Sequence, residues 1–490
     1  MNTKLQTSRK ESYFLVNLGS FNAKMIVMIR RITNFFKQDS SLNTLLWMGL
    51  GLRVLVFLVM NPQNPDAHHE VLEYILRRHR LPRTHELFLA CHPPLYYLTS
   101  LPFYVLGGLK LVQFYGLITS SLNLWLMAKL VRITIKDVFI RNLSFVLATF
   151  LGTYVIYSLF VSNDTLSVLM GTWFFYNLIQ YLRNPTIKNE IILSLSTGLA
   201  LLTKTTFLPF IPVVLVIIAL VRIRQSFKKT VYALLLSGLI IGFSGTYKFV
   251  ENFHAHHQFL IHNLDMFPLP TNATFYQGPQ SWYNFNLLTL IKDPNLSSRN
   301  PSMHSAPLLM YGTFWYKHVY FENNLGFGNC TKFRFIGSTL FVVGILPTLL
   351  ILMGIALLVR QGFLLLFKWK NEFGSTTFWE KLFKVTCAVL LLGSVATMFT
   401  GIIKYNDWAF MHVRLLVHVF FPIVLALATG LEFLKKYQPT FLKYIALNLT
   451  IFAILSIIYF SVESSIIAWN WLYYGDKDYL EWYSDKSLGL

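Results

Sequence analysis

Charge is scarce in this 490-residue chain: Asp, Glu, Lys and Arg make up 13% of it, against ~25% in a soluble globular domain. That scarcity excludes a soluble protein of this length. The hydrophobic share of 54% and the mean hydropathy of +0.50 exclude it again. Acidic residues are scarcer still, 22 against 42 basic ones, for a formal charge of +20. The excess needs no nucleic-acid partner, because basic residues collect on cytosolic loops beside anionic lipid. Three cysteines make no disulfide framework. Cys387 falls in an apolar run, and a Cys91–Cys330 bridge stays open only for an oxidising compartment. No cleavable-signal pattern opens the chain: residues 1–40 are polar and basic, so the first apolar run is expected to act as an uncleaved anchor. No internal repeat or low-complexity stretch is evident.

What is there instead is a succession of apolar runs near ~20 residues, the length that crosses a ~30 Å hydrocarbon core. The expected fold class is an all-α polytopic membrane protein. Arg30, Arg31 and Lys37 precede the run Asn43–Met60, which puts the N-terminus in the cytosol and the next loop outside. Pro93–Lys110 is short and broken by Pro and Gly. It reads as a re-entrant or interfacial piece ahead of the span Leu111–Leu130; a plain hairpin is the alternative and would invert the local assignment. Later runs alternate with basic loops as far as Tyr444–Phe460, for about eleven crossings in all. The expected division is a cytosolic segment 1–42, a membrane module 43–250 with a first external loop 61–92, a large external loop 251–334, further membrane helices 335–462 and an external tail 463–490.

This alternation gathers five polar features on one face: the loop after Asn61, Asp164, Lys204, the large loop, and the segment Lys404–Arg414. Ionisable groups at membrane depth are costly and usually functional. The first loop is the densest, with Asp66, His68, His69, Glu70, Glu73, His79, His85, Glu86 and His92 among four arginines. Within it, Val71, Tyr74, Ile75 and Leu81 are spaced for an amphipathic surface helix over 67–80. The plainer reading has Asp66 capping that helix and the arginines binding lipid headgroups. The richer reading is a site for a phosphorylated substrate and an acceptor proton.

Four stretches in order carry a resemblance. They are Asp66-Ala-His-His-Glu with the later His92-Pro-Pro-Leu-Tyr-Tyr; Ser162-Asn-Asp-Thr-Leu; Gly198-Leu-Ala-Leu-Leu-Thr-Lys204; and Arg414-Leu-Leu with Pro422. Together, over about residues 43–435, the chain resembles GT-C glycosyltransferases. The nearest branch holds the protein O-mannosyltransferases, the aminoarabinose transferases and related lipid-carrier-dependent enzymes. The resemblance implies a GT-C-like bundle with external juxtamembrane helices, and transfer of a sugar (a hexose, with mannose one option) from a polyprenyl or dolichyl phosphate carrier. It implies an acceptor that is a lipid, a glycan or a protein, and an inverting reaction at the external or lumenal face. The membrane would be that of the ER in a eukaryote, or the inner or plasma membrane in a prokaryote.

By the same resemblance Asp66 is the general base, and Asp164 binds sugar, metal or acceptor unless it merely caps a helix. Lys204, Arg414 and His92 would hold the donor phosphate; a snorkelling Lys204 is the plain alternative. A divalent metal ion stays open, with His68, His69, Glu70, His92, His254, His256, His257 and His262 as candidate ligands. Tyr276, Trp282, Tyr283, Trp315, Tyr316 and Tyr320 suit sugar contact or an interfacial belt. Asn272, Asn295 and Asn329 open glycosylation sequons, usable in an ER lumen. The chain departs from the family pattern in placing Ala67 beside the first aspartate and Cys91-His92 before the prolines. Two rivals remain, a lipid-linked sugar flippase and an inactive GT-C-like subunit.

Overall fold

The computed structural model describes residues 24–59, 62, 66–157, 159–268, 283–294, 305–316, 334–367, 373–405 and 408–474. The three sequons, Cys330, Tyr276, Trp282 and Tyr320 lie outside those residues, as do the start of the chain to residue 23 and the tail beyond 474. Among the described residues the regular structure is helical throughout. Eight helical stretches among the described residues are long and apolar enough to cross a membrane, so this is a multi-pass membrane protein.

The first part runs from α1 (24–36) through α2 (Ser40–Val59), α3 (His69–Arg78), α4 (Leu95–Thr134), α5 (Val138–Phe150), α6 (Gly152–Tyr157) and α7 (Asn163–Arg183). It continues with α8 (Ile187–Thr203), α9 (Phe210–Arg222), α10 (Phe227–Gly245) and α11 (Tyr247–His256). Short helices α12 (Asn263–Met266), α13 (Leu287–Lys292) and α14 (Ala306–Trp315) follow. The chain then crosses in α15 (Arg334–Phe367), α16 (Thr376–Tyr405), α17 (Phe420–Tyr437) and α18 (Leu442–Tyr474). The runs Asn142–Val161, Thr165–Leu182 and Ile191–Thr203, which belong to the expected eleven crossings, fall on α5 to α8 and are not among the eight; α5 is apolar but short. Helix α7 carries buried Asn163, Asp164, Ser167, Thr172 and Asn177, which lowers its hydropathy without stopping it from packing inside the bundle.

Helix α4 covers the stretch after Pro93 and is kinked. Its backbone leaves the helical region at Gly107 and Gly108, the latter at φ +62, a left-handed position open to glycine. The piece 95–106 then folds back on 109–134. Thr99 Oγ1 lies 2.8 Å from the Tyr115 hydroxyl, whereas 16 residues of straight helix would separate them by ~24 Å. At ~18 Å the piece 95–106 is too short to span. That length suits the expected re-entrant or interfacial piece better than a second full crossing.

The core divides in two. The main cluster fills the bundle around the 413–437 stretch, the most enclosed of the eight. A satellite cluster joins Val71, Leu72 and Ile75 of α3 to Tyr96 and Tyr97 of α4 and to Val161 and Leu166 on either side of Asp164. That second cluster is what sets the first loop against the start of α7. It buries the apolar face of α3, as the helical spacing predicts.

Candidate active site

Asp66 does not cap α3. The cap position is His68, which makes no side-chain cap hydrogen bond, and the Asp66 carboxylate faces Arg414 instead, Oδ2 to Nη1 at 2.8 Å. The turn that aims it includes Ala67 at φ +56, a left-handed conformation that costs an L-residue about 1–2 kcal/mol. Strain of this kind is held only where surrounding contacts fix it. Here the satellite core below α3 does so; at the other end of α3 the two-toothed Arg80–Glu86 pair (2.8 and 2.6 Å) closes the following turn.

Arg414 lies in a 3₁₀ stretch, Val413–Val419, that leads into α17. Helix α7 lies directly against it. A Cβ added to Gly171 would stand 2.0 Å from the His418 carbonyl oxygen, so only glycine lets the two backbones come this close. His418 also points inward, its Nε2 3.1 Å from Ser394 Oγ.

Asp164 sits in the first turn of α7, but the cap is Ser162, whose hydroxyl accepts from the Asp164 N–H. The plain capping reading of Asp164 is therefore not what the fold uses. Its carboxylate is buried and accepts from Lys204 Nζ. Lys204 stands at the extended break between α8 and the 3₁₀ turn Thr205–Phe207, with 8% of its side chain exposed against 3% for Asp164. It does not snorkel to a headgroup; its counter-anion is Asp164.

The two ion pairs are neighbours. Arg414 feels both Asp66 and Asp164, as does the buried Tyr157 hydroxyl. His68 lies among Asp164, Arg414 and Lys204; its Nδ1 is 2.9 Å from the Tyr97 hydroxyl. His92 stacks on it with ring centres 5.9 Å apart. All five residues singled out from the sequence (Asp66, Asp164, Lys204, Arg414 and His92) thus meet in one place. Burial holds the His68 imidazole down to about 3 and His92 well below its usual range. Both rings are neutral near pH 7, so they contribute hydrogen bonds and no charge. With the histidines neutral, two carboxylates balance two cations.

Some expectations move. Trp315 and Tyr316 do not face a sugar: both are buried, and Trp315 donates to Thr348 Oγ1 at 2.8 Å. Tyr283 is exposed. Cys91 is buried and its thiol pushed up to about 12 by burial. His256 meets His85 at the surface, 3.4 Å apart, away from His68. Among the described residues no group of three or more His, Cys, Asp or Glu is placed to hold a metal ion. Tyr157 and His418 were not singled out from the sequence, because nothing in their local pattern separates them from other apolar-run residues.

The class defined so far is a polytopic helical membrane protein with a double ion-pair site at one end of its bundle. No protein-family model and no curated protein matches the chain. Among solved structures it is similar to the apo oligosaccharyltransferase of Archaeoglobus fulgidus, with TM-score 0.47 and 11% identity over 91% of this chain. This chain spans only 59% of the length of that one. ArnT from Cupriavidus metallidurans bound to undecaprenyl phosphate is similar at TM-score 0.36 and 13% identity, covering 79% of this chain and 76% of that one. Its apo state gives TM-score 0.35 and 13% identity, covering 84% and 75%. At these scores the likeness fixes no activity for this chain, and the functional reading below rests on the site.

Proposed function

We propose that the chain is a glycosyltransferase that moves a sugar from a polyprenyl or dolichyl phosphate carrier to an acceptor hydroxyl or amine. The reaction would run at the external or lumenal membrane face, with Asp66 as general base. The observation that carries this reading is the Asp66–Arg414 pair at 2.8 Å beside the buried Asp164–Lys204 pair. A base and two cations stand within one site at the end of a membrane bundle. A carrier phosphate offers an anion for Arg414 and Lys204. Arg414 can bind it with two parallel N–H bonds, and in turning to it releases the Asp66 carboxylate.

The step then balances. The acceptor oxygen or nitrogen attacks the anomeric carbon as its proton passes to Asp66, and the carbon–oxygen bond to the carrier phosphate breaks. The bonding pair leaves with the phosphate, whose growing charge is stabilised by Lys204 and Arg414. A single displacement inverts the anomeric centre. Asp164 holds the Lys204 ammonium in place when the carrier is absent. Neutral His92 and His68 can hydrogen-bond the phosphate or a sugar hydroxyl.

A hexose such as mannose is the proposed cargo, and the acceptor is a lipid, a glycan or a protein. The test is release of labelled sugar from a panel of polyprenyl phosphate sugars by wild type and Asp66→Asn in detergent. Turnover of one donor by wild type alone supports the reading. Equal turnover by both removes Asp66 as base. Donor movement across liposomes without sugar release would mean a flippase.

A further inference from the structure

We propose that the opposite end of the bundle holds a second phosphate-binding site, a pocket for the headgroup of an anionic phospholipid. Asp164 opens α7 and Arg183 closes it, so the two lie ~28 Å apart along the helix, about one hydrocarbon thickness. Around Arg183 is a cavity of about 180 Å³ walled by the ends of α4, α7, α16 and α17. Three cations enter it, Lys136, Arg183 and Lys384, against two carboxylates, Glu380 and Glu432.

The carboxylates do not saturate the cations. Glu380 is 3.0 Å from Lys136 but 4.0 Å from Arg183, and Glu432 is 3.5 Å from Lys384. Charge-assisted hydrogen bonds are ~2.7–2.9 Å, so Arg183 and Lys384 keep donors for a further anion. Arg183 is itself anchored by donating to the Ile133 carbonyl at 2.7 Å, which presets the guanidinium. The pocket floor is apolar, formed by Ile179 and Phe383.

Size and place select the ligand. The cavity is smaller than the ~300–1,000 Å³ that small-molecule sites occupy, so it suits a single phosphate group and its ester carbons, not a nucleotide. It lies between helix ends, on the face where the basic loops put the cytosol. Basic pockets between membrane helices on that face take phospholipid headgroups. Inorganic phosphate shares the chemistry but has no acyl chains to use the apolar flank.

The test uses the full chain reconstituted in 1:1 phosphatidylglycerol and phosphatidylcholine vesicles, re-extracted, and weighed for retained lipid by native mass spectrometry. Wild type should keep about one phosphatidylglycerol per chain, and Arg183→Gln with Lys384→Gln should lower retention at least fivefold. Glu380→Gln, which removes a competing carboxylate and leaves all three cations in the cavity, should raise it. Lys188→Gln, on the same face but outside the cavity, should leave it unchanged. Equal retention by wild type and the double variant, or equal retention of phosphatidylcholine, overturns the proposal. So does displacement of the lipid by millimolar inorganic phosphate, which would make the site one for a free anion.

Discussion

Arg414 and Asp66 are 348 residues apart in sequence and 2.8 Å apart in space. The pair joins the first loop to the last enclosed helix and ties the proposed base to a proposed phosphate ligand. It therefore makes opposite demands on binding and turnover.

Asp66→Asn should lower turnover about 10²–10⁴-fold, the usual worth of a general base. The same change removes the carboxylate that competes for Arg414, so affinity for the carrier phosphate should rise. Arg414→Gln should lower that affinity. Binding of polyprenyl phosphate to the three proteins, set beside their turnover, checks the pair; weaker binding by Asp66→Asn would mean that the carboxylate supports the phosphate site instead of blocking it.

Lys204→Met leaves Asp164 charged and buried without its partner. Breaking one side of a buried pair costs about 3–5 kcal/mol. Replacing both, Asp164→Leu with Lys204→Met, should regain most of that stability while turnover stays lost. Thermal unfolding in detergent separates the two effects, and a double variant as active as wild type would take the pair out of the reaction.

His68 gives a pH dependence with a definite sign. Its folded value, about 3, lies below the ordinary 6.5, so below pH 6.5 the unfolded chain binds a proton that the folded chain refuses. Stability is complete above pH 6.5 and falls as pH drops toward 3. At pH 5 the loss from this one group is about 2 kcal/mol. His68→Gln, which can still meet the Tyr97 hydroxyl, should flatten the fall in melting temperature between pH 7 and 5. An unchanged slope would mean that His68 takes its proton in the folded state.

Gly171→Ala inserts a methyl group where the His418 carbonyl oxygen would be 2.0 Å away. Helix α7 and the stretch carrying Arg414 must then part. We expect a loss of about 1–3 kcal/mol, as for an overpacked core, and a fall in turnover beyond it, because Asp164 and Arg414 ride on the two separated elements. A variant with wild-type melting and turnover would mean that the contact yields easily.

The amino-acid sequence by itself determined the helical membrane class, since apolar runs near ~20 residues with this little charge have the length of a spanning helix and not of a barrel strand. It also determined which ionisable residues stand out, because Asp66, Asp164, Lys204 and Arg414 interrupt or flank apolar runs where charge is expensive. Tertiary structure decided the partners. Nothing local to Asp164 distinguishes a cap from an ion pair until Lys204 arrives from the end of α8. Nothing local to Trp315 distinguishes a sugar platform from a core residue until α15 covers it. The fold-back at Gly107 and Gly108 was legible as punctuation, but its direction came from Tyr115 meeting Thr99. Periodicity and charge act along the chain and can be read there. Pairing energy depends on distances across the bundle, which packing alone sets.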